Sequence, residues 1–263
     1  MYWKIEGPVK LREIVAEWIG YFESFCRFMT MEPSVVSRID CSLDDTEDRR
    51  LEVELIAPRL PRDNAATDRA AEQSSPHEFL ATLRTLQELG INPMDVLAGY
   101  WREVATGDAY MAMTLHLESQ DRLLSRGADS ALLNAIRSVE SLYAAEHPGV
   151  AVEHVAVQDK IDDAVARAGD VGIQILDAWP DLHNAGKLRR DIAHGRGRPT
   201  ASFGLRCHGG AMALQWIQRL RLLAEIGPGD AAAHSIVLNN FQYPWDLENL
   251  QMWNTELGAP PTS

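Results

Sequence analysis

Cysteine is scarce in this chain. There are three in 263 residues, Cys26, Cys41 and Cys207, widely separated and odd in number. They form no Cys-x-x-Cys pair and no zinc-ligand spacing, which excludes a disulfide framework and a zinc module. Three reduced thiols packed as small apolar side chains are the expectation. Long apolar runs are also missing; none approaches the roughly 18–20 residues that span a bilayer. The first residues, MYWKIEGPVKLREIVAEW, lack a cationic stretch followed by an apolar core and a cleavage site. No membrane partner and a cytoplasmic location are therefore expected. Positive charge is in deficit, with 25 Lys and Arg against 38 Asp and Glu, a net charge of −13 and a pI near 5.0. Such a balance argues against coating nucleic acid or an anionic membrane over the whole surface. Glycine-rich phosphate loops of the Walker or Rossmann type are absent, as is a G-x-S-x-G elbow.

What is present is an ordinary globular composition, 46% hydrophobic and 24% charged, of a size for one large domain or two modest ones. Apolar residues at three- and four-residue steps predict a helix over 8–30. Val35 to Leu43 and Leu51 to Ile56 alternate in part and suggest two strands around an acidic turn. Residues 57–77 are polar and proline-bearing, a loop. Helical spacing returns from Phe79 to Leu89 with Gly90 as a stop, from Pro93 to Val104, and from Ala109 to Leu117. The polar stretch 121–130 suggests a domain boundary, with Asp129 or Ser130 capping the next helix, Ala131 to Ala145. Residues 155–168 and 181–194 form polar helices, and Ala211 to Ile226 a long apolar one. Trp18, Trp101 and Trp216 fall in apolar stripes and are expected in the core. The fold class is thus mainly α: a helical bundle of four to five helices preceded by a small α+β region. Three parts are expected: 1–122 mixed, 129–228 the bundle, and 229–263 a wrapping tail with a frayed tip.

One segment concentrates positive charge. From Asp181 to Glu225, eight cations face three anions, a local +5 that leaves −18 for the rest of the chain. Its centre is KLRRDIAHGRGR. Leu188 and Ile192 are four apart and should face the core. Lys187, Arg190 and His194 share the opposite face, and Gly195 is the C-cap. Histidine is the side chain suited to proton transfer near neutral pH. Ideal geometry leaves about 140° between Arg189 and His194, so it places Arg190 beside His194 rather than Arg189. His183 and His208 flank the region and are expected to be solvated; the other histidines show no ligand spacing.

The spacing Arg189-x4-His194 within LRRDIAHG resembles the signature of the HEPN superfamily, Arg, four to six residues, His, often followed by Gly. Arg190 stands where relatives commonly have Asn. NAIRSVESLY resembles the first-helix pattern of the family, in which a buried glutamate, here Glu140, faces the motif helix. AMALQWIQRLRLLAEIG is similar to the last bundle helix of the ApeA-like subgroup, and residues 8–120 are more diffusely similar to its N-terminal domain. Relatives usually carry a longer β-rich stretch there, so the chain looks N-terminally short. The resemblance implies a metal-independent endoribonuclease without cofactors. It would act as a homodimer on RNA, not DNA, in anti-phage abortive infection. His194 would be acid or base, Arg189 (with Arg190 as the other candidate) the phosphate-stabilising group, Lys187, Arg196 and Arg198 RNA contacts, and Glu140 and Asp191 supports. A catalytically inactive HEPN module that binds RNA or a protein partner is the alternative, and a structural helical domain a third reading.

Overall fold

The computed structural model describes residues 20–30, 39–42, 50–53, 84–107, 109–124, 127–196, 200–240 and 242–258. The chain divides into two compact units, Met1–Pro76 and His77–Ser263. In the first unit, helix α1 (Gly20–Thr30) buries Phe25, Phe28 and Met29. Strands β1 (Ile39–Ser42) and β2 (Arg50–Val53) pair antiparallel, with Cys41 opposite Leu51. β1 falls within the stretch Val35 to Leu43, and β2 begins one residue before the stretch Leu51 to Ile56 and overlaps its first half. The helix start at 8–19 with Trp18, the acidic turn and the loop 57–77 lie outside the described residues.

The second unit is built of helices, so the fold among the described residues is mainly α. A helical turn at 84–88 ends at Gly90, whose φ of +69° is open to glycine without strain. Helix α2 (Pro93–Thr106) begins as proline chemistry dictates: Pro93 occupies the first turn, and the Asn92 side chain accepts the Met94 N–H at 3.0 Å. Helices α3 (Tyr110–Leu124) and α4 (Ala128–Glu146) follow and pack along one another. α4 buries Leu132, Ala135, Ile136, Val139 and Leu142, one stripe at helical spacing. After a short 3-10 turn, α5 (Val157–Arg167) and α6 (Gly169–Ala178) form a bent pair. A second 3-10 turn, Pro180–Asn184, leads into α7 (Ala185–Ala193). Helix α8 (Ala201–Glu225) runs through the centre of this unit and contacts α3, α4, α5 and α6. Helices α9 (Asp230–Leu238) and α10 (Gln242–Gly258) close on it.

Three expectations are corrected. The boundary between 122 and 129 does not separate compact units, because α3 shares a core with α4 and α8. Ser119 donates to the Ala131 carbonyl and accepts from Gln215, while Ser138 donates to the Ala112 carbonyl and accepts from Gln218. These side chains are buried, and each bond satisfies a group whose isolation would cost about 1–3 kcal/mol. The cap of α4 is Gly127, with no side-chain bond, and Asp129 lies in its first turn. The tail expected at 229–263 is helical over its described residues: α9 and α10 bury Ile236, Val237, Tyr243 and Leu250. Asp246 anchors α10 by accepting the indole N–H of Trp216 at 2.9 Å. Trp216 is fully buried as expected, whereas Trp101 is half-buried.

α8 also starts ten residues earlier than its apolar stripe. Thr200 caps it, accepting the Phe203 N–H at 3.2 Å. The glycines that disguise this first half are packing devices. A Cβ on Gly209 would lie 2.5–2.7 Å from three atoms of the Trp179 ring, and one on Gly210 would press on Leu132. Both free thiols that are described accord with the expectation of reduced cysteines: Cys207 is buried and Cys26 half-buried.

Candidate functional site

The motif helix α7 is fastened from several sides. Gln158 of α5 accepts the Gly186 N–H at 3.1 Å and donates to the Leu182 carbonyl at 3.2 Å, which pins the junction of the 3-10 turn and α7. Arg206 of α8 holds Asp181 at 2.7 Å. Leu188 is buried, and Trp179, just before the turn, is fully enclosed. No sequence pattern singled out Gln158.

The C-terminus of α7 is a closed cap. The Gly195 N–H bonds the Ile192 carbonyl at 3.0 Å, and the Arg196 N–H bonds the Asp191 carbonyl at 2.8 Å. Gly195 has φ +62°. This is the Schellman arrangement, which requires a left-handed residue just after the helix. It fixes His194, the capping residue, at a defined point on the surface; its own N–H bonds the Arg190 carbonyl. Asp191 thus supports the site through its backbone.

Lys187, Arg190 and His194 are all exposed, as the helical spacing requires, and Arg196 is exposed just beyond them. The imidazole of His194 makes no hydrogen bond to the described residues. Arg198 lies outside the described residues. Arg189 points another way. Its guanidinium donates to Glu140 Oε2 on α4 at 3.2 Å, and its side chain is 36% exposed. Glu140 is therefore the half-buried, hydrogen-bonded carboxylate that was expected opposite the motif helix.

Glu140 has a second cation that the sequence did not flag. Lys160 of α5 places its ammonium 3.6 Å from Glu140 Oε1, with a side chain only 5% exposed. One carboxylate thus serves two cations, leaving a net positive charge beneath the exposed face of α7. The signal for Lys160 was faint: α5 is otherwise polar, and Lys160 sits beside the buried Ile161 and Ala164.

A second cluster lies about 9 Å further along α4, six residues at the helical rise. Glu146, His147 and Asp163 bring ligand-type atoms within 4.8 Å of one another, a convergence that spacing alone did not reveal. The guanidinium of Arg167 occupies their midst, with contacts of 3.0 Å to His147 Nε2, 3.0 Å to Asp163 Oδ2 and 3.8 Å to Glu146 Oε2. Because the guanidinium only donates, His147 Nε2 accepts and Nδ1 donates to the Tyr143 carbonyl. Arg221, buried in α8, also pairs with Glu146. Two cations balance two carboxylates here, so the cluster acts as an ionic lock between α4, α5 and α8.

The flanking histidines differ. His183 is exposed, 3.7 Å from Asp162 Oδ1. His208 is not solvated as expected: it stands edge-on to Trp253 with centroids 5.0 Å apart, and burial lowers its pKa below the ordinary 6.5. Among the described residues, no helix is long and apolar enough to cross a membrane. Compared with known proteins, the chain matches no family model, no curated protein and no solved structure.

Proposed function

We propose that the protein is a metal-independent endoribonuclease of the HEPN type, assembled as a homodimer, with α7 supplying the site. The observation that carries this reading is the division of labour along that helix. Lys187, Arg190 and His194 form one exposed basic face with an unengaged imidazole, while Arg189, on another side, is steadied by Glu140. RNA supplies its own nucleophile. A ribose 2′-hydroxyl attacks the adjacent phosphorus as a base removes its proton, the bond to the 5′-oxygen breaks, and an acid protonates that oxygen. The products are a cyclic phosphate and a 5′-hydroxyl. His194 serves one of the two proton transfers. Arginine N–H groups neutralise the charge that develops on the non-bridging oxygens.

The two proton transfers ask for two groups, and the exposed face of α7 offers one histidine. A second copy placing its own α7 opposite supplies the other, and brings a second set of arginines. That pairing also resolves the angular conflict, since Arg189 of one copy need not reach His194 of the same copy. Anti-phage abortive infection is the biological setting that the resemblance suggests. The acidic remainder of the chain restricts binding to this face.

The test uses purified protein and RNA in EDTA. Cleavage that leaves cyclic phosphate ends, and that fails on a strand with 2′-deoxyribose at every position, supports the reading. The engagement of Arg189 by Glu140 favours one alternative, an inactive module that only binds RNA or a partner protein through the same face. In that case RNA binds, more weakly as salt rises, but is not cut.

A further inference from the structure

We propose that Lys160 is a positioning residue for Arg189, and that it keeps this arginine available to an RNA phosphate. The inference rests on the reading above, in which Arg189 meets the substrate.

The geometry is a competition for one carboxylate. Arginine and a carboxylate preferentially pair through two parallel N–H···O bonds, using both oxygens. At Glu140 that pairing is not made. Oε1 faces Lys160 at 3.6 Å, and Arg189 touches only Oε2, through Nη2, at 3.2 Å. A single-bond contact steadies the guanidinium without consuming it. Among the described residues its other N–H donors have no partner, and the side chain is 36% exposed, so a phosphate can reach them. Lys160 cannot bind RNA itself, because its side chain is only 5% exposed. Burying an ammonium carries a desolvation cost, so its place beside Glu140 calls for a role. With it, the group of three carries one net positive charge; without it, Glu140 and Arg189 would cancel and close on each other.

Two variants separate positioning from a structural role. In Lys160→Met the carboxylate loses one cation while Arg189 remains to pair it. The crystal structure of this variant is expected to show Arg189 on both oxygens of Glu140. RNA cleavage by the full chain in EDTA is expected to fall about tenfold or more in kcat. In Lys160→Met/Glu140→Gln the grip is released, and kcat is expected to return to within about twofold of the wild type. A role confined to stability would leave the double variant no better than the single one, and thermal unfolding checks that both variants fold. Wild-type kinetics in Lys160→Met, a double variant no faster than the single, or an unchanged one-oxygen contact in the Lys160→Met structure would each overturn the proposal. If the wild type does not cut RNA, the nuclease reading fails, and the crystallographic comparison still decides whether Lys160 sets the contact of Arg189.

Discussion

Gly209→Ala and Gly204→Ala, two identical changes in helix α8, should move stability in opposite directions. In a helix interior, alanine is favoured over glycine by about 0.8–1.0 kcal/mol. At Gly204 a new Cβ would meet nothing within 4 Å, so the propensity gain stands alone. At Gly209 the Cβ would sit 2.5 Å from Trp179 Cζ2, 2.6 Å from Cη2 and 2.7 Å from Cε2. Ordinary carbon contacts begin near 3.5 Å, so the ring would have to move by about 1 Å. Trp179 is fully buried, and it precedes the turn that leads into α7. Overpacking of this kind costs about 1–3 kcal/mol or more and should exceed the propensity gain. For a unit of this size each kcal/mol moves Tm by about 2–4 °C. Thermal unfolding followed by far-UV circular dichroism should show Gly204→Ala up by about 2–4 °C and Gly209→Ala below the wild type, by up to about 8 °C. A Gly209→Ala protein as stable as Gly204→Ala would refute the claim that the first half of α8 packs on Trp179.

Other predictions bear on the polar interior. Glu140→Ala strands the buried Lys160 and should lower the unfolding free energy by about 3 kcal/mol in a denaturant titration; a loss under 1 kcal/mol would contradict the buried pair. Burial raises the Asp246 pKa above the ordinary 3.8, although bonds from Gln242 and Trp216 oppose the shift. The folded state then holds this proton more tightly than the unfolded one, so the contribution of Asp246 to stability declines as pH rises from 3.8 through the raised value. The stability difference between Asp246→Asn and wild type should therefore shift in favour of the variant across that window, and a pH-independent difference would count against it. Burial also pushes the Cys207 thiol up to about 12. Iodoacetamide at pH 8 should modify Cys207 only after unfolding, and labelling of the native protein at that position would show that α8 opens.

The helices that announced themselves did so through apolar spacing. α4 buries an apolar stripe at helical spacing, which period alone finds, and the second half of α8 carries the same spacing although it is buried on nearly every side. Gly195 marked the end of α7 because a left-handed cap has a chemical signature. The first half of α8 was hidden because Gly204, Gly209 and Gly210 usually signal turns, whereas Gly209 and Gly210 here make room for Trp179 and Leu132. α9 was hidden because it is only nine residues long and three of its apolar residues are alanines, and α10 because its proline and polar residues outweigh the few it buries. At the site, the exposed face of Lys187, Arg190 and His194 was legible from 100° steps around one helix. Lys160 and Gln158 were not, since their meaning depends on contacts with Glu140 and Gly186, residues on other helices.

In the proposed reaction His194 transfers a proton during RNA cleavage. The most direct measurement is the rate at which purified wild type and His194→Ala cleave a labelled RNA in EDTA, with circular dichroism confirming equal helicity. The wild type is expected to cleave to cyclic phosphate ends, and His194→Ala to be at least about 100-fold slower, the scale of general acid–base catalysis. Cleavage by His194→Ala at the wild-type rate would contradict it.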